Sequence, residues 1–234
     1  AICPEIGGAL LRTEELVFRL NQLPPSRREE REAIIRQLFG HVGKSVCIHS
    51  PFHCDFGAQI SVGDHFVGNF NLTILDEAPV TIGDHVFIGP NVGIYTVNHA
   101  LLPDQRNAGI MRSLPIAIGN NVWIGGHTVV MQGVTIGDNT VIGAGSVVTH
   151  DIPAGVVAVG SPCRVLRVHD DRAARLAAHE PLAVVHPRVV RAQVAPADEH
   201  GLGGRPIERG VQARQVGEDR LGVELDHPAR GAED

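Results

Sequence analysis

The chain has few rings. Of its 234 residues only 4% are Phe, Tyr or Trp, with one Trp and one Tyr, and Met occurs twice. The 43% hydrophobic content must therefore be carried by small branched side chains, which suits one sizeable domain with a core of Val and Ile. Long apolar runs are absent too. Nothing approaches the ~18 consecutive apolar residues of a membrane span. The start AICPEIGGALLRTEE lacks a basic region followed by a secretory core, so the expected compartment is the cytoplasm. Basic residues are outnumbered, and the net charge of −6 argues against nucleic acid as a partner.

Cysteine is also scarce. Cys3, Cys47, Cys54 and Cys163 form no CxxC pair and no regular spacing, which argues against a disulfide framework and leaves reduced thiols as the expectation. Histidine is plentiful, with thirteen residues, and His49, His53 and Cys54 are the tightest group. Pro51 between the two histidines keeps them off one helical face, so no metal is expected there.

What the chain does have is a ruler. Every sixth residue in 118–148 is aliphatic: Ile118, Ile124, Val130, Ile136, Ile142 and Val148. Two residues before each of the last five stands Val122, Thr128, Val134, Thr140 or Ser146, all small or β-branched. A period of six fits neither the 3.6 of a helix nor the two of a hairpin, but it fits a coil of short strands. Val122 and Ile124 then share one side of a strand, and Gly125 bends the chain where a Cβ would obstruct. Three such strands close a turn of a solenoid, and stacked turns bury their inward residues only against one another.

The outward positions Trp123, Val129, Thr135, Val141 and Val147 are apolar with the exception of Thr135. With three hexapeptides to a turn, Trp123 and Val141 share one face, Val129 and Val147 a second, and Thr135 lies on the third. Two apolar faces on a prism predict packing against copies of itself, with a closed trimer the natural arrangement.

Ahead of the coils, residues 10–20 space Leu and Phe as a helix stopping at Asn21. Ser26, with Glu29 three residues on, reads as the capping box of a second helix that ends before Gly40. Residues 1–41 are thus expected to form a small helical cap, and residues 42–168 the solenoid. Its rhythm falters at residues 76–79 and is lost in the loop 97–116, which must leave the wall and return in register. Loops on a rigid scaffold are where function concentrates. Residues 169–234 contain no aromatic ring of Phe, Tyr or Trp and are expected to be a mostly disordered tail, because that composition cannot offset its ordering entropy.

The hexapeptide run, with PFHCDFGAQISVGD, NFNLTILDE, IGPNVGIYTVNHA, IGNNVWIGGH and VVAVGSPCRVLR, resembles the maltose and galactoside O-acetyltransferases of the hexapeptide acyltransferase family over residues 10–168. The resemblance implies an all-β solenoid, a left-handed parallel β-helix, whose hand is an exception to the right-handed crossover rule. It also implies acetyl-CoA as cosubstrate and a small-molecule sugar as acceptor, in a homotrimer with sites between subunits. No nucleic acid, membrane or metal is expected.

His99 lies where the regular coils give way to the long loop. On its chemistry alone it is either a solvated loop histidine or a general base, since imidazole titrates near neutral pH. The resemblance aligns it with the family's catalytic histidine, although Ala100 stands where many relatives have Pro. Asp55, Asn69, Asp76 and Glu77 read by themselves as turn residues. The resemblance puts Asp55, Asn69 and Glu77 at the acceptor, with Glu77 at a variable position, and Asp76 is expected to share that polar lining. Gly126, Ala144, Thr149, His150, Arg164 and Arg167 align with positions that receive coenzyme A. The Gly126 N–H is suited to an oxyanion, the two arginines are suited to phosphate, and His150 stands where relatives often have Lys. Trp123 either walls that cleft or fills the trimer seam.

Rival readings are an acetyltransferase for an oligosaccharide or antibiotic, a γ-type carbonic anhydrase-like metal lyase using His99 and His127, and a scaffold without chemistry.

Overall fold

The computed structural model describes residues 4–168, which form three walls of short parallel strands. The first wall stacks His41–Val42, Ile60–Val62, Val80–Ile82, Ile116–Ile118 and Thr135–Ile136. The second stacks Cys47–Ile48, Val67–Gly68, Phe87–Ile88, Trp123–Ile124, Val141–Ile142 and Val156–Val159, and ends with the antiparallel strand Arg164–Val168. The third stacks Phe52–Cys54, Leu72–Leu75, Gly93–Tyr95, Val129–Val130 and Val147–Val148. The chain visits the walls in fixed rotation, so each circuit lays one strand on each. This is the parallel β-helix that the hexapeptide rhythm requires.

Register follows the aliphatic rows. Ile124 pairs with Ile88 below and Ile142 above, and Val130 with Ile94 and Val148. All of the inward residues of 118–148 are buried, including Thr128, Thr140 and Ser146. Each aliphatic side chain contributes roughly 1.5–3 kcal/mol by leaving water. The buried hydroxyls stay satisfied: Thr128 Oγ1 donates to Gly143 O at 3.3 Å, Thr140 Oγ1 to Pro153 O at 3.0 Å and Ser146 Oγ to Gly143 O at 2.6 Å.

The corner glycines are required by contact between coils. A Cβ on Gly125 would lie 2.5 Å from Ala144 N, and one on Gly137 would lie 2.4 Å from Ala154 N. The left-handed residue comes two positions later and is carried by Asn91 (φ 58°), His127 (φ 58°) and Gly145 (φ 71°) in successive coils. Asn71 Nδ2 donates to Asn91 Oδ1 at 2.9 Å, linking coils along this corner.

Helix α1 spans Pro4–Gln22 and α2 spans Arg28–Leu38. The first begins well before the expected residue 10, because Pro4 is tolerated in a first helical turn and the helix carries on through Gly7 and Gly8. The expected capping box at Ser26 does not form. Arg27 is the N-cap and no side chain caps the helix, because Arg27 N–H donates to Pro24 O at 3.0 Å in a tight turn that carries Ser26 past the cap position. The helices are tied to the coils by Arg31, whose guanidinium donates to Leu20 O (2.8 Å), Ile48 O (2.9 Å) and Ser50 Oγ (2.8 Å). Thr13 Oγ1 adds a bond to Phe56 O at 2.9 Å.

Coil length varies at one edge. Ile118 pairs with Ile136, Ile124 with Ile142 and Val130 with Val148, each eighteen residues on. Lower coils pair at a distance of twenty, as in Ile60 with Val80, and Ile82 with Ile118 spans thirty-six. Steps from the first wall to the second, and from the second to the third, keep six residues throughout, as in Ile82, Ile88 and Ile94. The surplus falls entirely between the third wall and the first. Among the described residues no helix is long and apolar enough to cross a membrane. The expected tail at 169–234 lies outside the described residues.

Candidate active site

The irregular edge between the third and first walls collects acidic side chains. Asp76 is fully buried, and its Oδ1 accepts from Asp55 N at 3.1 Å and Phe56 N at 2.9 Å, joining two coils. Asp76 Oδ2 and Glu77 Oε2 are buried without a hydrogen-bond partner. Such orphaned acceptors are costly to leave unpaired. Burial pushes the Asp55 carboxyl up to about 7, helped by the charge of Glu77, a hydrogen bond with it, and the charge of Asp76. Asp76 is also raised by burial, against the bonds it accepts from backbone N–H groups. The Cys54 thiol beside them is pushed far up by burial and by both aspartates, which keeps it protonated and inert.

The arm that carries His99 grows from the same edge. Thr96 is fully buried at its root: its N–H and its Oγ1 donate to Leu75 O at 3.0 and 2.7 Å, and Oγ1 accepts from Ala78 N at 3.1 Å. These bonds fix the root of the arm to the backbone on either side of Asp76 and Glu77. The arm is a hairpin of Val97–His99 and Met111–Ser113 with a short helix, Pro103–Asn107, at its tip. His99 is exposed and stands opposite Met111. Ala100 donates its N–H to Ile110 O at 3.1 Å, a bond that proline could not make. Arg106 braces the chain after the histidine by donating to Ala100 O at 3.2 Å and Leu101 O at 3.1 Å.

The other predicted residues fall into three places. Thr149 and His150 sit higher on the irregular edge, where Thr149 Oγ1 and His150 Nδ1 are 2.8 Å apart. Asn69, Gly126 and Ala144 lie on the regular edge between the second and third walls. Asn69 Oδ1 accepts from Phe70 N at 2.8 Å, and Gly126 O accepts from Gly145 N at 2.9 Å. The Gly126 N–H stays out of the ladder in which Gly125 donates to Ile142 O (2.8 Å) and His127 to Pro90 O (2.9 Å), as an oxyanion donor would need to. Arg164 and Arg167 are exposed on the last strand of the second wall. A single prism therefore brings Asp55, Asp76 and Glu77 together with the root of the His99 arm, and it leaves Asn69, Gly126 and Ala144 on another edge.

Thr96 and Arg106 carry no motif of their own, and the hexapeptide rhythm stops before reaching them. The only signal in the sequence is a threonine two residues past Ile94, the last regular position before the loop. His127 is on the regular edge, 3.3 Å from Asn91 Nδ2. Among the described residues no group of three or more His, Cys, Asp and Glu side chains is placed to hold a metal ion.

The outward face of the second wall is apolar. Phe87 and Trp123 are 51% and 57% exposed and are register partners, with Val67 and Val141 continuing the row on either side.

Three walls of two-to-five-residue strands in hexapeptide register define a hexapeptide-repeat protein. Residues 115–150 match the family model for the bacterial transferase hexapeptide (six repeats), residues 79–98 that for the hexapeptide repeat of succinyl-transferase, and residues 1–43 that for the maltose acetyltransferase hexapeptide capping motif. The galactoside O-acetyltransferase of Escherichia coli (strain K12) is 48% identical over 171 residues, covering 73% of this chain and 84% of that relative. A solved galactoside acetyltransferase in complex with coenzyme A has a TM-score of 0.72 at 48% identity, over 73% of this chain and 86% of its own. A hexapeptide-repeat acetyltransferase of Vibrio cholerae complexed with acetyl coenzyme A has a TM-score of 0.70 at 44% identity, over 73% and 92%. The chain belongs to the hexapeptide-repeat acetyltransferases, in the group of the maltose and galactoside enzymes.

Proposed function

We propose that the protein transfers an acetyl group from acetyl-CoA to a hydroxyl of a sugar of the maltose, glucose or galactoside type. The observation that carries this reading is the seating of the His99 arm on the edge that holds Asp55, Asp76 and Glu77, where the half-buried Asp55 and Glu77 give hydroxyl groups of an acceptor carboxylates to pair with. His99 takes the proton of the attacking hydroxyl. The oxygen adds to the thioester carbonyl, the Gly126 N–H donates to the oxyanion, and collapse breaks the carbon–sulfur bond. The proton then passes from the imidazolium to the coenzyme A thiolate, and no acyl-enzyme is needed.

Acceptor contacts fall to Asp55, Asn69, Asp76 and Glu77, and coenzyme contacts to Gly126, Ala144, Thr149, His150, Arg164 and Arg167. Because one prism divides these residues between two edges and the last strand of the second wall, the complete site is proposed to form in the seam between two copies of a homotrimer, with Phe87 and Trp123 buried in the contact. A cytoplasmic location fits the use of acetyl-CoA.

An assay of acetyl-CoA consumption across a panel of sugars tests the reading. Thiol release that depends on one or more of them is expected, and a protein that consumes acetyl-CoA with none would overturn it. Sedimentation of wild type and of Trp123→Asp tests the seam, with a trimer expected for the first and smaller, inactive species for the second. An active monomer of the wild type would sink the shared-site part.

A further inference from the structure

Gln132 sits on the irregular edge one coil above the arm's root, beyond the last inward residue of its strand, Val130. Its amide spans both limbs of the hairpin: in the amide orientation that the surrounding donors and acceptors assign, Nε2 donates to Arg112 O at 2.7 Å and to Thr96 O at 3.3 Å, and Oε1 accepts from Asn98 Nδ2 at 2.9 Å. Thr96 and Asn98 belong to the outgoing limb and Arg112 to the returning one. Asn98 and Arg112 are register partners, on the rung next to that of His99 and Met111.

We infer that Gln132 is a positioning residue for His99, clamping the hairpin so that the imidazole is presented at a fixed height over the acidic edge. The inference rests on the reading of His99 as the general base. A two-stranded hairpin is marginal on its own, and this one holds Asn98, His99, Met111 and Arg112 in the open. Below the clamp, the root is closed by the bond from Leu114 N–H to Thr96 O at 2.8 Å and by Leu114 lying over Gly133, where a Cβ would come 3.1 Å from Leu114 Cδ1. Those contacts fix where the arm starts and leave its pitch free. Gln132 fixes the pitch, because a primary amide can donate twice and accept in one plane, which is what two carbonyls and one Asn N–H group demand. Arg112 O and Thr96 O lose a donor each if the side chain is cut back.

A base displaced by about 1 Å can cost about a hundredfold in rate, and loosening one of several restraints is expected to cost about a tenth of that. The test compares wild type, Gln132→Ala, Asn98→Ala, His99→Ala and the Gln132→Ala/His99→Ala double variant, with a galactoside or maltose as acceptor. Gln132→Ala is expected to lower kcat about tenfold, with KM for acetyl-CoA within about twofold and the melting temperature nearly unchanged. Asn98→Ala removes the same bond from the arm's side and guards against a folding defect at the coil. In the His99→Ala background the Gln132 change should cost nothing further, since it acts only through the imidazole. Hydrogen exchange gives a readout free of substrate: amides of residues 97–113 should exchange faster in Gln132→Ala while coil amides keep their protection. Unchanged kcat and unchanged arm exchange in Gln132→Ala, or an equal loss in the His99→Ala background, would overturn the inference. A His99→Ala enzyme as fast as wild type would instead remove the parent reading.

Discussion

Two edges of the same prism are built by the same strands and behave differently. The edge between the second and third walls keeps its step of six in every coil, and its residues stack on themselves: Asn71 on Asn91, Gly126 under Gly145, Gly125 under Ala144. The edge between the third wall and the first has steps of eight at Cys54 to Val62 and Ile74 to Ile82, and then the long excursion from Ile94 to Ile118. Some backbone groups of the surplus residues there are paired by side chains and not by the ladder. Asp76 answers two of those groups at the cost of its own orphaned oxygen, and Thr96 anchors the arm. The regular edge pairs its polar groups between coils, with the Gly126 N–H left over, and the irregular edge leaves carboxylate oxygens unpaired. Chemistry is therefore expected at the irregular edge, and structural tolerance is expected to be lowest in the regular rows.

That contrast can be pushed on directly. The largest effect on stability is expected in the stacked rows: Ile124→Ala, fully buried between Ile88 and Ile142, should lose about 3–4 kcal/mol in a denaturant titration, because coils packed on both sides cannot close the cavity. A loss under about 1 kcal/mol would mean that the rows are not the core they are taken for.

A smaller effect of opposite sign is expected at the irregular edge. The Asp55 carboxyl is raised in the folded protein from 3.8 to about 7. The folded state thus holds the proton more tightly than the unfolded chain, so the penalty is absent below about pH 4 and grows as the pH rises to about 7. Asp55→Asn should melt about 3 °C above wild type at about pH 8, an effect reduced by partial exposure, and should match it near pH 4. Its KM for the acceptor should rise. A variant that is less stable than wild type at the higher pH would contradict the raised Asp55 carboxyl.

The smallest effect falls on the outward first wall, where Thr135→Ala should stay within about 0.5 kcal/mol of wild type. Exposed and opposite Ala117, its side chain faces away from the stacked rows.

The solenoid was legible because its buried residues recur at a fixed interval, and such an interval needs no knowledge of distant contacts. Residues 118–148 gave inside and outside position by position, down to the buried Thr128 and Thr140. Helix starts were less legible. Ser26 has the chemistry of a cap, and the turn made by Pro24 O overrides it, a choice that depends on how the two helices meet. The site was legible only by resemblance. Nothing in the spacing of Asp55, Asp76 and Glu77 says that their coils meet, and nothing in the residues around Val130 says that Gln132 reaches Asn98. Those contacts depend on where an interruption of the rhythm leaves and rejoins the wall.

The central claim is that the irregular edge does chemistry through one imidazole. Its most direct measurement is the acetyl-CoA-dependent acetylation rate of His99→Ala against wild type, with coenzyme A binding followed in parallel by thermal shift. The account predicts a fall of at least about a hundredfold in kcat with coenzyme A binding kept. A variant that turns over like wild type would contradict it.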